Sequence, residues 1–383
     1  MLTFYLQFFG KSLNFKLNEG LHLQYKFNFM AKKIGVVLMN LGSPDSTSVK
    51  DVRTYLKQFL MDERVIDVPY LLRYILINGV IVPFRAPKSA EAYSTIWTKE
   101  GSPLVVLTKQ LQHALQQQVD VPVEIAMRYG NPTVTSAFDN LMSNHPDLDE
   151  VLAIALYPHY AMSSFETAVE YAKEIYAAGS YPFKLQFLKP FYNEPNYIQA
   201  LAENIKPFLE QSHDHILFSY HGIPGRHVRK SDVTGCHCLK VENCCQIPSP
   251  AHAQCYRHQV FTTTKLVMQA LQIPEDKYSI AFQSRLGKGW LQPFTDKRLE
   301  EMPKEGIKKL LILCPAFVSD CLETLEEIDE RGKESFMEAG GETYTMIPCL
   351  NTNPLWVSVL QNWVKDFEGG SGEMVLDLRM SDV

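Results

Sequence analysis

The sequence of 383 residues lacks the glycine-rich loops that hold nucleotides. No Gly-x-Gly-x-x-Gly follows a predicted strand and Gly-x-x-x-x-Gly-Lys is absent, so neither a dinucleotide nor a P-loop nucleotide is supported as a ligand. Basic residues are not in excess: 37 Lys and Arg stand against 43 Asp and Glu, which argues against a broad nucleic-acid-binding surface. Hydrophobic residues at 46% and charged residues at 21% are ordinary globular values and exclude a disordered or fibrous chain.

Long apolar runs are also scarce. The most apolar stretch, residues 70–85, is interrupted by Arg73 and by an Asn-Gly pair, so no segment is expected to span a bilayer. Its length favours a buried helix. The alternative is an apolar lip that touches a membrane surface or a hydrophobic ligand.

The first residues do not form a signal peptide. Their apolar run is followed by Lys11 and Lys16, without a small-residue cleavage site. We expect residues 1–31 to be a disordered arm or a mis-assigned start upstream of Met30. A cytoplasmic location is the corresponding prediction.

Short runs rich in Val, Ile and Leu recur along the chain, separated by stretches of helical character. Such runs are typical of buried parallel strands. The predicted strands are 34–40, 122–128, 151–157, 184–189, 215–221, 278–284, 309–315 and 343–348.

The two halves of the chain match each other. Arg128-Tyr129-Gly130 matches Arg285-Leu286-Gly287, and Phe165-Glu166-Thr167 matches Leu322-Glu323-Thr324, in each case 157 residues apart. At a separation of 180 residues, Asn40-Leu41-Gly42-Ser43-Pro44 matches Tyr220-His221-Gly222-Ile223-Pro224. A duplicated α/β architecture follows, with ligands expected in the cleft at the carboxyl ends of the strands.

The duplication predicts the domain boundaries. An N-terminal domain covers 32–190 and a C-terminal domain covers 191–353, with a cysteine-rich insertion at 232–258. A helix at 354–368 and a tail at 369–383 complete the chain.

Positions that differ between the halves are candidates for added chemistry. His221 has the apolar counterpart Leu41, so the fold itself does not require an imidazole there, although a lone histidine is more often structural. Glu323 has a structural interpretation as the end of a capping box that begins at Asp320, and Glu166 allows the same interpretation. Because Glu323, unlike Glu166, lies in the same half as His221, we favour a chemical role for Glu323.

Other residues extend this candidate site. Glu323, Glu327 and Glu330 fall at i, i+4 and i+7 on one helical face, a ladder that could pass a divalent cation inward, although Glu330 is better explained as solvated. Trp290 follows the sixth strand and would suit a planar aromatic ligand, or only plug the domain.

Five of the eight cysteines lie close together in the insertion: Cys236, Cys238, Cys244, Cys245 and Cys255. Without an export signal, disulfides are not expected. The cluster predicts a metal centre, for which zinc is the simplest choice, with His237, His252 and His258 as alternative ligands. Cys314, Cys321 and Cys349 need no role beyond burial as small apolar side chains.

The ordered motifs of residues 32–365 resemble the ferrochelatase family. They are NLGSP (40–44), FRAPKSAEAY (84–93), GSPL (101–104), RYGNP (128–132), YPHY (157–160), SYHGIP (219–224), QSRLGKGWLQPFTD (283–296) and CPAFVSDCLETLEEI (314–328). The resemblance implies two Rossmann-like domains related by a pseudo-dyad, in a class II chelatase-like fold with a four-stranded parallel sheet in each domain.

The resemblance also implies site residues. His221 and Glu323 match the family's active-site pair, which removes pyrrole protons, meets the entering iron and holds the macrocycle bent. Tyr93, Arg128, Trp290 and Leu41 match porphyrin-pocket positions, with Arg128 as a partner for a propionate.

Two positions depart from the family pattern. Cys321 stands where many relatives have a second histidine, which puts a relay through that imidazole in doubt. Leu41 stands where some have methionine or tyrosine, which argues against a metal ligand on that side of the ring. The family's apolar lip corresponds to residues 70–85 and implies peripheral membrane contact there.

Some members of the family carry a 2Fe–2S cluster on four cysteines. The resemblance therefore favours such a cluster on Cys238, Cys244, Cys245 and Cys255, with Cys236 as the substitute and zinc as the alternative.

The predicted function is insertion of ferrous iron into protoporphyrin IX to form protohaem, by a monomer or homodimer. The alternatives are a coproporphyrin, cobalt or sirohydrochlorin chelatase of the same fold, and a non-enzymatic iron–sulfur or haem-binding sensor. Protoporphyrin is preferred because a more highly carboxylated porphyrin would need more basic residues around the pocket, and Arg73 is the only one in residues 70–84.

Overall fold

The computed structural model describes residues 32–285, 287 and 289–376. It also describes the backbone of three short antiparallel strands, β1 (Tyr5–Phe8), β2 (Lys11–Asn14) and β3 (Lys26–Phe27). The rest of residues 1–31, on which the expectation of a disordered arm or a mis-assigned start falls, lies outside the described residues, as does the tail from residue 377 onward.

A four-stranded parallel sheet forms the centre of the N-terminal half. Its strands are β4 (Ile34–Ser43), β5 (Val123–Gly130), β6 (Glu150–Ala155) and β7 (Lys184–Phe187). They lie side by side in the order β5-β4-β6-β7. Every residue of β6 is buried, which explains its apolar run: helices cover both faces of a parallel sheet.

A second parallel sheet repeats this arrangement in the C-terminal half. It contains β8 (His215–His221), β9 (Tyr278–Gln283), β10 (Lys309–Leu313) and β11 (Thr343–Ile347), in the order β9-β8-β10-β11. In each sheet, the strands lie in the order second, first, third and fourth along that half of the chain. The duplicated α/β architecture and all eight predicted strands are therefore confirmed, with small differences at the ends.

Helices surround both sheets. The α-helices are α1 (Val49–Leu60), α2 (Tyr70–Ile75), α3 (Val82–Ile96), α4 (Pro103–Gln116), α5 (Val134–Asn144), α6 (Thr167–Ala178), α7 (Pro195–Ile205), α8 (Gly225–Lys230), α9 (Tyr256–Ala270), α10 (Thr295–Glu301), α11 (Lys333–Glu338) and α12 (Pro354–Glu368). Wider π-helical turns span Leu76–Ile81, Met162–Glu166 and Glu323–Gly332, and short 3₁₀ turns span Lys206–Glu210, Pro250–Gln254, Glu275–Lys277 and Met302–Glu305.

Several helix starts are set by capping residues in the sequence. Ser48 accepts a hydrogen bond from the Asp51 N–H at the start of α1, and Asn353 accepts one from the Leu355 N–H at the start of α12. Such side chains satisfy backbone donors that the helix itself leaves unpaired. Pro354 in the first turn of α12 lacks the N–H that would otherwise need a partner.

The two halves share one apolar core. Trp356, Leu360 and Trp363 of α12 pack in the same cluster as Leu111 of α4 and Tyr197 of α7. The C-terminal helix thus covers elements of the N-terminal half. No helix of the described residues has the length and apolar character needed to cross a membrane.

Candidate active site

A cavity of about 870 Å³ lies between the two halves. Its walls include Leu41 on β4, His221 at the end of β8, Trp290 after β9, and Ala316 and Glu323 after β10. The carboxyl ends of both sheets therefore contribute to one cleft, as the duplicated strands predict. The cavity has the size typical of small-molecule sites.

The tautomer of His221 is set by its backbone neighbour. Its Nδ1 lies 2.8 Å from the carbonyl oxygen of Gly222, and because a carbonyl can only accept, Nδ1 carries the proton of the neutral ring. The lone pair then remains on Nε2. The Tyr256 hydroxyl donates to the His221 carbonyl at 2.8 Å and fixes the backbone of the same residue.

Gly222 allows the His221 strand end to approach β9 closely. A Cβ at this position would lie 2.6 Å from the carbonyl oxygen of Gln283 and 3.3 Å from Cε3 of Trp290. Any other residue would push the turn away from Trp290. The glycine therefore keeps His221 and Trp290 on one cavity wall.

The capping-box interpretation of Glu323 is wrong. The Asp320 N–H donates to Oδ1 of Asn351 at 2.9 Å, and the Asp320 carboxylate accepts from Thr324 and Asn351. Glu323 does not reach back to Asp320, and its side chain instead lines the cavity. No basic side chain pairs with it within the described ranges.

The counterpart of Glu323 in the N-terminal half is neutralised. Glu166 pairs with Nε of Arg64 at 3.2 Å and accepts a hydrogen bond from the Tyr160 hydroxyl. It does not cap a helix start either, because the Glu166 side chain is committed to these partners. The duplicated position thus holds an ion pair in one half and an unpaired carboxylate in the other.

Glu327 lies beside Glu323 and is held by Ser284. Its carboxylate accepts from the Ser284 N–H at 2.8 Å and from the Ser284 hydroxyl at 2.5 Å. Burial raises the pKa of Glu327, the bonds from Ser284 and the nearby His221 act to lower it, and the charge of Glu323 adds to the rise.

The predicted ladder does not extend to Glu330. This residue is exposed and lies outside the cavity wall, whereas Glu326 and Arg331 lie on it and pair with each other at 2.7 Å. The segment Glu323–Gly332 is π-helical, so its wider turn displaces the i+7 position from the face of Glu323.

The predicted porphyrin-pocket residues occupy three different surroundings. Leu41 and Trp290 line the large cavity. Tyr93 is 5% exposed and lies behind Leu41 and Glu323, on a separate cavity of about 20 Å³; burial raises the pKa of its hydroxyl.

Arg128 is not on the cavity wall. Its guanidinium bonds to Asp62 at 2.5 Å and to Thr167 at 2.8 Å, and it lies against the rings of Tyr129 and Tyr171. Asp62 is buried, so this is an internal ion pair of the N-terminal half. The structure therefore does not bring Arg128 together with His221 and Glu323.

Basic residues missed by the sequence analysis do line the cavity. Arg85 and Lys88 lie one turn apart on α3, and Arg226 and Arg285 extend from the other half. Arg85 and Lys88 belong to the FRAPK segment at the end of the apolar stretch. Their i, i+3 spacing places both basic side chains on one face of a helix, and this pattern could have identified them from the sequence.

The apolar stretch before Arg85 is not a buried helix, so the favoured interpretation of it was wrong. Leu71 is 69% exposed and Phe84 is 74% exposed, and four further large apolar side chains between them also face solvent. Arg73 turns inward and donates to the carbonyl oxygens of Ile66 and Val68. We refer to residues 70–84 as the lip.

Four cysteines of the insertion are withdrawn from solvent. Cys238, Cys244 and Cys255 are buried and Cys245 is half-buried, and the Arg257 guanidinium lies 3.9 Å from the sulfur of Cys244. Cys236 is exposed and contacts Thr234 instead. The Leu239 N–H and the Arg257 guanidinium point at the sulfur atoms of Cys244 and Cys245, at 3.4 Å and 3.3 Å.

The three histidines proposed as alternative ligands bind the backbone of this cluster. His237 and His252 bond to the Cys244 carbonyl oxygen at 2.7 Å and 2.9 Å, and His258 bonds to that of Cys245 at 2.8 Å. Over the described residues, no three Cys, His, Asp or Glu side chains are already arranged as a metal-ligand set.

A second cavity of about 600 Å³ separates the insertion from the cleft. Cys244 and Arg257 line it on the insertion side, and Trp290 lines it on the other side. Trp290 therefore belongs to the walls of both cavities.

Known proteins resemble this chain over nearly the same range. A ferrochelatase family model matches residues 33–367. A ferrochelatase from Opitutus terrae is 50% identical over 334 residues, covering 86% of this chain and 96% of that protein. One from Pseudomonas entomophila is 49% identical over 328 residues, covering 85% and 96%.

Solved structures share the architecture. SirB from Bacillus subtilis with Fe³⁺ superimposes with a TM-score of 0.53 at 12% identity, covering 90% of this chain and all of that chain. The sirohydrochlorin chelatase SirB in complex with cobalt gives a TM-score of 0.51 at 9% identity, which supports the fold alone. From the family model and the relatives of about 50% identity, this chain belongs to the ferrochelatase family, lyases that insert a metal ion into a porphyrin.

Proposed function

We propose that this chain inserts ferrous iron into protoporphyrin IX as the terminal step of haem synthesis. The observation that carries the proposal is the pair formed by His221, with its free Nε2, and Glu323, with no basic partner in the described part of the chain, on the walls of one large cavity. Metal insertion releases two pyrrole protons. A neutral imidazole and a carboxylate are suitable acceptors near neutral pH.

Different residues of the cavity wall accept the protons, attract the iron and contact the macrocycle. Nε2 of His221 accepts a pyrrole proton, and the Glu323 carboxylate accepts the other and attracts the iron as it arrives. Glu327, fixed by Ser284, lies next along the same wall and offers the iron an earlier anionic contact. Leu41 and the indole of Trp290 provide apolar surface for the flat macrocycle.

Arg85 and Lys88 suit the porphyrin carboxylates. Both are exposed at the cavity wall and neither is paired with an acid among the described residues. Charged hydrogen bonds to carboxylates orient a ligand as well as hold it. Arg85 and Lys88 thus take the role of propionate partner that the family resemblance implied for Arg128.

A coproporphyrin substrate is the second candidate. The earlier preference for protoporphyrin depended on Arg73 being the one basic residue of the lip, but Arg73 binds backbone carbonyls. Arg226 and Arg285 lie on the opposite wall and would meet carboxylates on the other edge of a more highly carboxylated porphyrin, in competition with their present partners Asp67 and Asp296.

Four cysteines of the insertion suit a 2Fe–2S cluster. Such a cluster takes four thiolates, and Cys238, Cys244, Cys245 and Cys255 are withdrawn from solvent, whereas Cys236 is exposed. When bound, the cluster would cross-link the insertion through its thiolates. The N–H donors at Leu239 and Arg257 are the type of contact that stabilises thiolate sulfur.

The exposed lip suits a peripheral membrane contact of a cytoplasmic enzyme. Contiguous exposed apolar surface beside a ligand cavity is typical of a membrane or partner contact, and porphyrins are themselves poorly soluble. The lip would then receive the substrate from the membrane surface next to Arg85.

The catalytic pair is tested by His221→Ala and Glu323→Gln. With ferrous iron and protoporphyrin IX under anaerobic conditions, each variant should insert iron about 10²- to 10⁴-fold more slowly, because each loses a proton acceptor. Glu330→Gln, an exposed acid of the same helical segment, is the matched control. Wild-type rates in both variants would refute the assignment, and haem retention without insertion by the wild type would favour the sensor.

Substrate orientation is tested by Arg85→Ala and Lys88→Ala. Each should raise KM for protoporphyrin IX about tenfold or more, since a charged hydrogen bond is lost. The same variants should match the wild type on a porphyrin dimethyl ester, which has no carboxylate to bind. An equal loss on the ester would contradict carboxylate recognition, and a higher wild-type kcat/KM for coproporphyrin would favour the second candidate.

The cluster is tested by Cys245→Ser, with Cys236→Ser as the matched control. Anaerobically purified wild type and Cys236→Ser should show the visible absorption of a 2Fe–2S cluster with equal iron and sulfide content, and Cys245→Ser should lose both. Zinc without inorganic sulfide in the wild type would exclude the cluster.

Membrane contact is tested by Leu71→Asp and Leu355→Asp. Each buried apolar side chain contributes about 1.5–3 kcal/mol, so Leu71→Asp should weaken sedimentation with phospholipid vesicles about tenfold or more. Leu355 is an exposed leucine outside the lip and should not matter. Equal binding by all three proteins would argue against the lip as a membrane contact.

A further inference from the structure

Ser284 makes two hydrogen bonds to one carboxylate of the cleft. Its backbone N–H lies 2.8 Å from Oε1 of Glu327, and its hydroxyl lies 2.5 Å from Oε2. Both oxygen atoms of Glu327 are therefore engaged by one residue. A carboxylate held at both oxygens has a fixed plane and direction.

The backbone of Ser284 is unusual at this point. Its φ is +60°, in the left-handed region that residues other than glycine rarely adopt. Ser284 directly follows β9, and in this conformation its N–H and its hydroxyl point at the same carboxylate. Backbone strain of this kind persists where the surrounding structure requires it, and often at functional sites.

The donors of Ser284 hold Glu327 without neutralising it. The nearest basic side chain on the same helical segment, Arg331, is paired with Glu326. The charged or titratable groups that act on Glu327 include His221 and, on the same helical segment, Glu323. Among the described residues, Glu327 therefore has no basic partner that would compete with an incoming cation.

The N-terminal half provides an internal comparison. The residues 157 positions earlier are Met127 for Ser284 and Glu170 for Glu327. Met127 has no side-chain donor, and Glu170 is instead paired with Lys173 at 2.7 Å. The fold therefore needs neither the serine nor an unpaired acid at these positions, and both occur in the half that carries His221 and Glu323.

We propose that Ser284 is a positioning residue that fixes the Glu327 carboxylate for capture of the incoming ferrous ion. The proposal rests on the proposed function, in which Glu327 meets the iron before Glu323 does. In this proposal Ser284 acts on the iron through Glu327.

The test compares Ser284→Ala and Ser284→Gly in steady-state iron insertion. Both lack the hydroxyl, but glycine adopts a positive φ without strain, so a defect of backbone folding would spare Ser284→Gly. Both should raise KM for Fe²⁺ about tenfold with kcat within about twofold of the wild type, since loss of a hydrogen bond to a charged group is of that size. Ser284→Thr, which keeps a hydroxyl, should retain part of the affinity, and Ser358→Ala on α12 should match the wild type.

A double mutant identifies the residue through which Ser284 acts. If Ser284 works through Glu327, Ser284→Ala combined with Glu327→Gln should be no worse than Glu327→Gln alone. Additive losses, an unchanged KM for Fe²⁺ in both serine variants, or a wild-type Ser284→Gly beside an impaired Ser284→Ala would each overturn the proposal. Absence of insertion by the wild type on any porphyrin would instead refute the proposed function.

Discussion

Two carboxylates in the cleft are held by structure but not neutralised by it, and the chemistry of the site depends on this constraint. Glu323 has no basic partner in the described part of the chain, and Glu327 is bound by the neutral donors of Ser284. Burial without a basic partner raises the pKa of Glu327 and makes the binding of a cation there favourable. A site that receives a metal ion makes use of this missing positive charge.

The duplicated fold separates acids that form ion pairs from acids that face the cavity. In the N-terminal half, Glu166 and Glu170 are neutralised by Arg64 and Lys173, and Arg128 joins Asp62 in an internal pair. In the C-terminal half the matching carboxylates face the cavity. One copy therefore retains structural ion pairs, whereas the other presents its acids to the ligand.

Much of the fold was predictable because strands and their repetition are local properties of the sequence. The eight apolar runs and the matched turns required only periodicity, and His221 at the end of β8 and Glu323 in the segment after β10 stood out by comparison with the first half. The failures concern partners that are distant in sequence. The Asp320 N–H, which was expected to bond to Glu323, bonds to the side chain of Asn351. Arg128, which was expected on the cavity wall, is paired with Asp62.

One further failure has another physical cause. The lip is apolar but exposed, and hydropathy alone does not say whether an apolar side chain faces the interior or the solvent. The preferred interpretation of Glu330 as a solvated residue is confirmed, since it is exposed and lies outside the cavity wall, but no residue of the segment signals the π-helical turn in advance.

The position of α12 bears on how the chain folds during its synthesis. This helix is translated after both sheets, yet Trp356 and Trp363 complete a core that includes Leu111 of the first half. The N-terminal sheet therefore emerges from the ribosome with part of its apolar covering still missing. Although the strands repeat as two units, the core that both halves share with α12 is complete only after this helix has been released.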